Sequence, residues 1–525
     1  MKRYNISWML ALLVTVLSSC SDYLDINTNP NQATSVQPLL VLPAAITGTA
    51  SVSSQFNSYG AHFGGYMANA GGFSGFGNLF NYQLIPDNYN ALWVNTYDNL
   101  NDYKYVIDQT EGDDTQAYAN AASNIMVAYN FQKLVDAFGD VPYTEALQNN
   151  ANLTPKYDDA ATIYQDLITR LDAAITLIDA AEFPTALNSS SDPMFGGDMT
   201  KWKRFANTIK LRILVRVSGV ASLSSFVTTK FAALDKTLGF ITDDAIVNPG
   251  YVKDKPNPVW NTWGYSTTGT LANSSRTVTE YAFGFYNGQK LSDPGRGAVI
   301  FTNFEAGTTP ANQLGNETDA PTIRTNYSTW YSGNFSSASS ISNALGVLKG
   351  PSQGQVIMLL AESEFLQSEA KLKGLLTGDF TTNFDAGVTA SFRYLFKDVT
   401  NAVSATKNVA TEVAGYKAEN PDSYLVNIKK ATTPAQRLEA IITQKWIAVN
   451  MINSEEGFNE FRRTGYPVTR ANGDGYTNIA SPLSTSTRAD KLPSRILYPT
   501  SEQSYNAGNY KSINPFTDLI FWDPN

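Results

Sequence analysis

The chain has 525 residues, and its 38 Lys and Arg residues against 47 Asp and Glu residues give a net charge of −9. A nucleic-acid partner is therefore not expected, because binding to phosphates needs a surplus of basic residues. The chain has one Cys and one His, so it has no second thiol for a disulfide, and a Ser-His-Asp triad or a His-rich zinc site would depend on His62 alone. His62 stands in a Gly-rich segment without a second ligand at helical spacing. We expect a structural role for it and neither a metal nor a cofactor.

Residues 1–19 have the pattern of a cleaved secretory signal. Lys2 and Arg3 precede an apolar run from Ile6 to Leu17, which is too short for a membrane span of roughly 20 residues. Cys20 follows the sequence Leu-Ser-Ser. This arrangement resembles the lipobox of bacterial lipoproteins, which implies cleavage before Cys20 and attachment of fatty acyl chains such as palmitate to that residue.

The segment 20–38 is polar and rich in Asn and Pro, which predicts an extended tether between the lipid and a folded body that begins near residue 39. Asp22 and Asp25 lie just after the anchor. Acidic residues at this place resemble the signals that send some lipoproteins of Gram-negative bacteria to the cell surface, and a solvated linker explains them equally well.

The first part of the body alternates between helical and loop patterns. A short helix is predicted over Leu39–Ala50, followed by a loop in which glycines alternate with aromatic residues as far as Tyr82. Helical spacing returns over Ala91–Ile107 and is clearest over Ala121–Phe138, which is apolar around most of its circumference and should lie between neighbours. An amphipathic helix follows, with Ile163, Leu167, Leu171, Ile175 and Ile178 on one stripe.

The predicted helix Thr200–Val217 is strongly basic. One side carries apolar residues, and its cations are Lys201, Lys203, Arg204, Lys210, Arg212 and Arg216. Six cations on one helix suggest either an anion site or a solvated face whose aliphatic stems pack on apolar surface. The solvated face is the expected arrangement.

Periodicity fades between about residues 240 and 350, where Gly, Pro, Asn, Ser and aromatic residues dominate. A segment of this length without a convincing helix predicts a loop-rich functional lobe. Helical spacing resumes over Val356–Leu372 and again behind an Asn383 cap. A further helix begins at Pro434, with Thr433 and Gln436 as a capping box. The tail from Leu492 is expected to be extended or looped.

The predicted fold class is mainly α, an irregular helical scaffold carrying the loop-rich lobe. Trp93 and Trp446 lie in helical patterns and are assigned to the core. No clean repeat of 34 residues is present, so periodicity alone does not indicate a tetratricopeptide solenoid.

Several segments resemble SusD/RagB-like outer-membrane lipoproteins. The strongest is the helix that closes with Phe-Gly-Asp-Val-Pro, and the matching segments in order are Val127–Tyr143, Lys203–Arg216, Leu359–Glu364, Glu455–Gly465 and Arg495–Pro499. The resemblance implies one SusD-like domain over 39–525, built from tetratricopeptide-like helix pairs. It also implies a surface protein that covers a SusC-like TonB-dependent transporter and delivers a glycan or a peptide to it without cleaving a bond.

A glycan platform needs flat aromatic rings beside polar side chains, and loops supply these more often than helices. The candidates are Phe73, Phe76, Asn81 and Tyr82 in the first loop, Trp260, Asn261, Trp263 and Tyr265 in the lobe, and Trp330 and Tyr331 as a third group. A loop aromatic can equally be the plug that fastens its loop to the body.

Two alternatives stay open. A pair of carboxylates can hydrolyse a glycoside without His, and Asp136, Asp140 and Glu145 lie near one helix end, although capping and turn hydrogen bonds would explain all three. The other alternative is a purely structural surface lipoprotein.

Overall fold

The computed structural model describes residues 36–70, 77–316, 329–333 and 344–524. The predicted signal peptide, Cys20 and most of the tether lie outside these ranges, and so do Phe73 and Phe76. Within them the chain forms fifteen α-helices and seven short strands, so the predicted mainly α fold class is confirmed.

In the first half of the body, each long helix packs against the next one along the chain. The helices are α1 Pro38–Phe63, α2 Asn90–Thr110, α3 Ala117–Phe138, α4 Ala160–Ala180, α5 Met199–Val217 and α6 Ser224–Ala233. In α3, 20 of the 22 residues are buried, because α2 covers one side and α4 the other. The predicted position of α3 between neighbours is confirmed, and Gly139 follows its last residue with a φ of 80°.

Helix α1 is 26 residues long, so the prediction of a short helix followed by a loop is wrong over Ser51–Phe63. Glycine within this segment serves close packing and not a turn. A Cβ atom on Gly60 would lie 1.9 Å from the backbone nitrogen of Glu455. By length and composition α1 is apolar enough to cross a membrane, but half of the relevant stretch is buried inside the protein, as in a core helix.

The described residues of the lobe form only short elements, as predicted. Its helices are α7 Pro258–Trp263, α8 Glu280–Phe283 and α9 Pro294–Ile300. The seven strands are β1 Met67–Asn69, β2 Val141–Pro142, β3 Tyr157–Asp158, β4 Ala245–Val247, β5 Arg276–Thr279, β6 Ala311–Asn312 and β7 Gln355–Met358. Strand β5 is central in a three-stranded sheet, antiparallel to β1 and parallel to β6. Strands β2 and β3 form one antiparallel pair, and β4 and β7 form another.

The last six helices complete the scaffold. They are α10 Leu360–Leu372, α11 Phe380–Leu395, α12 Val409–Glu419, α13 Pro434–Ala448, α14 Ser454–Thr464 and α15 Thr500–Tyr505. The capping box at Thr433 is confirmed. Two boundaries are corrected: Val356 lies in β7 and not in a helix, because its strand pairs with β4, and α11 is capped by Asp379, whose side chain accepts from the Thr381 N–H.

The six cations of α5 do not share one solvated face. Lys203 pairs with Asp179, and Lys210 pairs with Asp172 while its side chain is only 6% exposed. Arg212 and Arg216 are buried among acids from other helices. The expected solvated face is therefore wrong for Lys210, Arg212 and Arg216, because the acids that neutralise them come from distant parts of the sequence.

These arginines belong to a buried set of ion pairs that we call the core charge cluster. Its members are Asp136, Glu362, Glu369, Glu455, Glu456 and Glu460 with Lys133, Arg212, Arg216, Lys445 and Arg463. Each side chain is at most 6% exposed. The cluster joins α3, α5, α10, α13 and α14, so charge as well as apolar packing holds the two halves of the scaffold together.

Candidate functional site

The three-stranded sheet positions the loops of the lobe. Asn69 pairs with Arg276 at the edge between β1 and β5. Its side chain donates to the carbonyl of Asn316 over 2.8 Å and accepts from the N–H of Gly315 over 2.8 Å. The Asn312 side chain donates to the carbonyl of Asn69 over 2.9 Å. These bonds hold Asn69, Asn312, Gly315 and Asn316 together at one end of the sheet.

Two aromatic groups that are far apart in the sequence meet beside this sheet. The rings of Trp263 and Trp330 lie 5.3 Å apart in an edge-to-face arrangement. Trp260 lies 6.1 Å from Tyr265. Helix α7 brings the tryptophans into position, because Asn257 caps its first turn by accepting from two backbone N–H groups. The second and third candidate groups are therefore in contact through Trp263 and Trp330.

Three rings of these two groups are buried. Trp260, Trp263 and Trp330 are each at most 5% exposed. Tyr82 is also buried. It packs 5.6 Å from Phe63 at the end of α1 and accepts a hydrogen bond from the Ser481 N–H. All four are buried, as the alternative role of a plug that fastens its loop to the body would require, and a ligand role for them stays a prediction.

The open part of the site is smaller than predicted. Asn261 is exposed, and Tyr265 and Tyr331 are partly exposed. We call these three residues the loop surface. Asn81 is partly exposed, and its side chain accepts from the Gln83 N–H over 3.0 Å, so it stabilises its own turn. Phe73 and Phe76 remain sequence-based predictions.

His62 has the structural environment that was expected, although it lies in the last turn of α1 and not in a loop. It is buried, and its Nδ1 atom lies 3.0 Å from the hydroxyl of Tyr89. Burial, together with the smaller effect of the nearby charge of Arg276, lowers the pKa of His62 to about 3. The described residues contain no group of three or more His, Cys, Asp or Glu side chains arranged for a metal ion.

The three acids near the end of α3 have different environments. Asp140 accepts from the Ala160 N–H, and Glu145 accepts from the Lys156 N–H and the Asn152 side chain, as turn and capping residues do. Asp136 is instead buried against Arg216, Tyr164 and Trp522. The capping explanation is wrong for Asp136, because its carboxylate is part of the core charge cluster.

A separate cavity of about 320 Å³ opens between the start of α5, strand β4 and the turn after α11. The cavity was not predicted from the sequence. The sequence feature that could have indicated it is the group of cations on α5, because two of them, Lys201 and Arg204, line the cavity.

Residues 30–499 match the family model described as "Starch-binding associating with outer membrane", which is a SusD-like family. The chain belongs to this family. In this SusD-like protein, four of the five segments that carry the resemblance contribute to the core charge cluster, through residues such as Lys133, Arg212, Glu362 and Glu456. The segments that carry the resemblance therefore contribute to the core of the scaffold, while the loop surface lies outside them.

Solved structures of SusD homologues share the fold. A chitin-binding SusD homologue from Flavobacterium johnsoniae has a TM-score of 0.69 at 20% identity, covering 92% of this chain and 99% of that one. A SusD/RagB family protein from Bacteroides thetaiotaomicron has a TM-score of 0.69 at 18% identity, covering 93% and 99%. A SusD homologue from Bacteroides uniformis has a TM-score of 0.65 at 22% identity, covering 92% and 99%. No curated protein matches the chain by sequence.

Proposed function

We propose that this SusD-like protein is a cell-surface lipoprotein that captures a glycan and passes it to a TonB-dependent outer-membrane transporter. The family is described as starch-binding and associated with the outer membrane, and one structural relative is described as chitin-binding. We assign no bond-breaking step to the protein.

The observation that carries this proposal is the meeting of the two aromatic groups. Trp263 contacts Trp330, and Asn261, Tyr265 and Tyr331 are close to these two residues in the sequence, so we expect the three to lie on one part of the lobe. A sugar presents apolar C–H faces surrounded by hydroxyls, so it binds where tyrosine rings and an amide lie together. The buried tryptophans supply rigidity, which lowers the entropy cost of ordering the loops on binding.

The binding test compares tyrosines in two places. In the full-length protein in detergent, Tyr265→Ala with Tyr331→Ala should weaken binding of starch or chitin oligosaccharides about tenfold by isothermal titration calorimetry, as expected for loss of about 1.4 kcal/mol of ring contact. Tyr505→Ala is the matched control, because Tyr505 is 81% exposed on α15 and lies outside the loop surface. Equal affinities for all variants would reject the loop surface.

The transporter is tested separately. If the protein covers a TonB-dependent transporter, the two should copurify from solubilised outer membranes without added ligand. Recovery of the lipoprotein alone under gentle conditions would argue for the alternative of a purely structural surface protein.

A further inference from the structure

We propose that the cavity beside α5 is a second binding site, separate from the loop surface, that takes a small sugar carrying a carboxylate. The proposal rests on the proposed function for the class of ligand, since a protein that captures glycans encounters sugar acids. The volume of the cavity, about 320 Å³, is at the lower end of the range for small-molecule sites. The space suits a single small molecule and not a polymer.

The charged group at the floor of the cavity, Lys349, already has its hydrogen-bond partners. Lys349 is 4% exposed, and its ammonium donates to the carbonyls of Gly346, Tyr394 and Lys397 over 2.7 to 2.9 Å. Three acceptors match the three N–H donors of an ammonium group. The side chain of Gln353 accepts from the N–H of Lys349. This floor is therefore preorganised before any ligand arrives.

The acids of the cavity are also occupied. Asp243 and Asp244 both accept from the ammonium of Lys397, over 3.0 and 2.9 Å. Asp398 accepts from the hydroxyl and the N–H of Thr400. These contacts lower the pKa of Asp243 and of Asp398, so both carboxylates stay ionised, with burial opposing the hydrogen bonds at each. Their hydrogen bonds go to these local partners, and the charge of Lys201 at the rim also lowers the pKa of Asp243.

Two cations at the rim of the cavity have no ion-pair partner among the described residues. Lys201 and Arg204 are one turn apart on α5 and both line the cavity, which places them on the same face of the helix. The Nε of Arg204 donates to the carbonyl of Leu238 over 3.1 Å. Neither residue forms an ion pair with any acid in the described ranges, whereas the other cations of α5 do.

The rim cations and the apolar wall together suit one class of ligand. Lys397 is not part of the lining and is paired with Asp243 and Asp244, and burial lowers the pKa of Lys349 to about 7, so Lys201 and Arg204 supply the positive charge that faces a ligand. The remaining wall includes apolar groups such as Ile246 and Met194, which suit the C–H face of a sugar ring better than they suit a fully hydrated inorganic anion. A carboxylate directed at the rim and a sugar ring against the wall satisfy both surfaces.

The test uses D-glucuronate and D-glucose, which differ at the carboxylate, with the full-length protein in detergent. Calorimetry should show glucuronate binding that weakens at least tenfold in Lys201→Met with Arg204→Met and weakens with rising salt. Lys203→Met is the matched control, because Lys203 lies on the same helix but pairs with Asp179; its affinity should stay within twofold. Lys201→Arg with Arg204→Lys should retain most of the binding.

The proposal is overturned if glucuronate does not bind, if glucose or inorganic phosphate binds equally well, or if the double methionine variant binds normally while remaining folded. Failure here and failure of the proposed function are distinguishable. Glucuronate binding without starch or chitin binding would remove the function assigned to the loop surface and leave this cavity in place. The opposite result would remove the cavity alone.

Discussion

In the core charge cluster, the neighbouring charges decide whether the pKa of a buried carboxylate is raised or lowered. Burial alone would raise the pKa of Glu456, but the guanidinium groups of Arg216 and Arg212 outweigh it and lower that pKa to about 2. At Glu362, burial and the neighbouring charge of Glu456 dominate, and the pKa is raised. Two glutamates in one cluster are therefore shifted in opposite directions.

The shift at Glu456 predicts a specific pH dependence of stability. Because the folded-state pKa is below the ordinary value of 4.5, this group stabilises the fold fully above about pH 4.5, and the contribution is lost as the pH falls towards 2. In Glu456→Gln, the loss of unfolding free energy relative to the unchanged protein should be largest near neutral pH and should shrink through this window. Urea titrations between pH 2.5 and 7 measure it, and a difference that is constant with pH would contradict the assignment. Glu439→Gln, a glutamate on α13 outside the cluster, is the control.

The same residues show what the sequence could reveal at this scale. Arg212 and Arg216 were recognisable as neighbours on one helical face, because they are four residues apart. Their burial could not be predicted, because the acids that pair with them, Asp136, Glu362 and Glu456, lie far away in the sequence. The tryptophans of the lobe had the same ambiguity, because a plug and a binding platform have the same composition in a sequence.

At the scale of elements, the contact between α1 and α14 depends on a glycine. A Cβ on Gly60 would lie 1.9 Å from the nitrogen and 2.2 Å from the Cα of Glu455, and backbone atoms at that distance cannot yield by a side-chain rotation. Gly457 on α14 is similarly close to the hydroxyl of Tyr66. The two helices approach each other at positions without side chains, and this brings Glu455 to Lys133.

Two glycine substitutions of the same kind should therefore have opposite effects. Gly60→Ala should destabilise the protein by about 3 kcal/mol or slightly less, since it must separate packed helices. Gly415→Ala on α12 meets no atom within 4 Å and should stabilise by about 0.5 to 1 kcal/mol, because alanine is the better helix former. Denaturant unfolding measures both, and stabilisation by Gly60→Ala would show that the helices are not in this contact.

Elements defined by local signals were predictable, and elements defined by tertiary contacts were not. The capping box at Thr433 needs only residues within one turn, and it forms as expected. The segment around Val356 has helical spacing but is a strand, because β4 supplies its hydrogen-bond partners. Helix α1 continues past Ala50 because close packing, as at Gly60, offsets the low intrinsic helix propensity of this segment.

At the scale of the whole molecule, the three features occupy different parts of one scaffold. A continuous buried hydrophobic cluster extends from Leu42 in α1 to Trp522 near the end of the chain, and the core charge cluster lies within it. The loop surface lies in the lobe, while the sugar-acid cavity is formed by α5, β4 and the turn after α11. Under the two proposals, one scaffold binds a glycan at the loop surface and a small sugar acid at the cavity.

Such a body serves nutrient capture only if it is held at the cell surface, and we predict that Cys20, in its lipobox-like sequence, provides the anchor. One acyl chain gives marginal membrane binding, whereas several chains, each adding about 0.8 kcal/mol per buried methylene, hold a protein stably. Cys20→Ala should therefore be absent from the outer-membrane fraction and should not incorporate labelled palmitate. Ser19→Ala keeps a small residue before the cysteine and should behave like the unchanged protein. Membrane retention of Cys20→Ala would instead require an anchor elsewhere in the chain, and helix α1, the one described helix apolar enough to span a membrane, would have to leave its packed position against α2 and α14 to provide it.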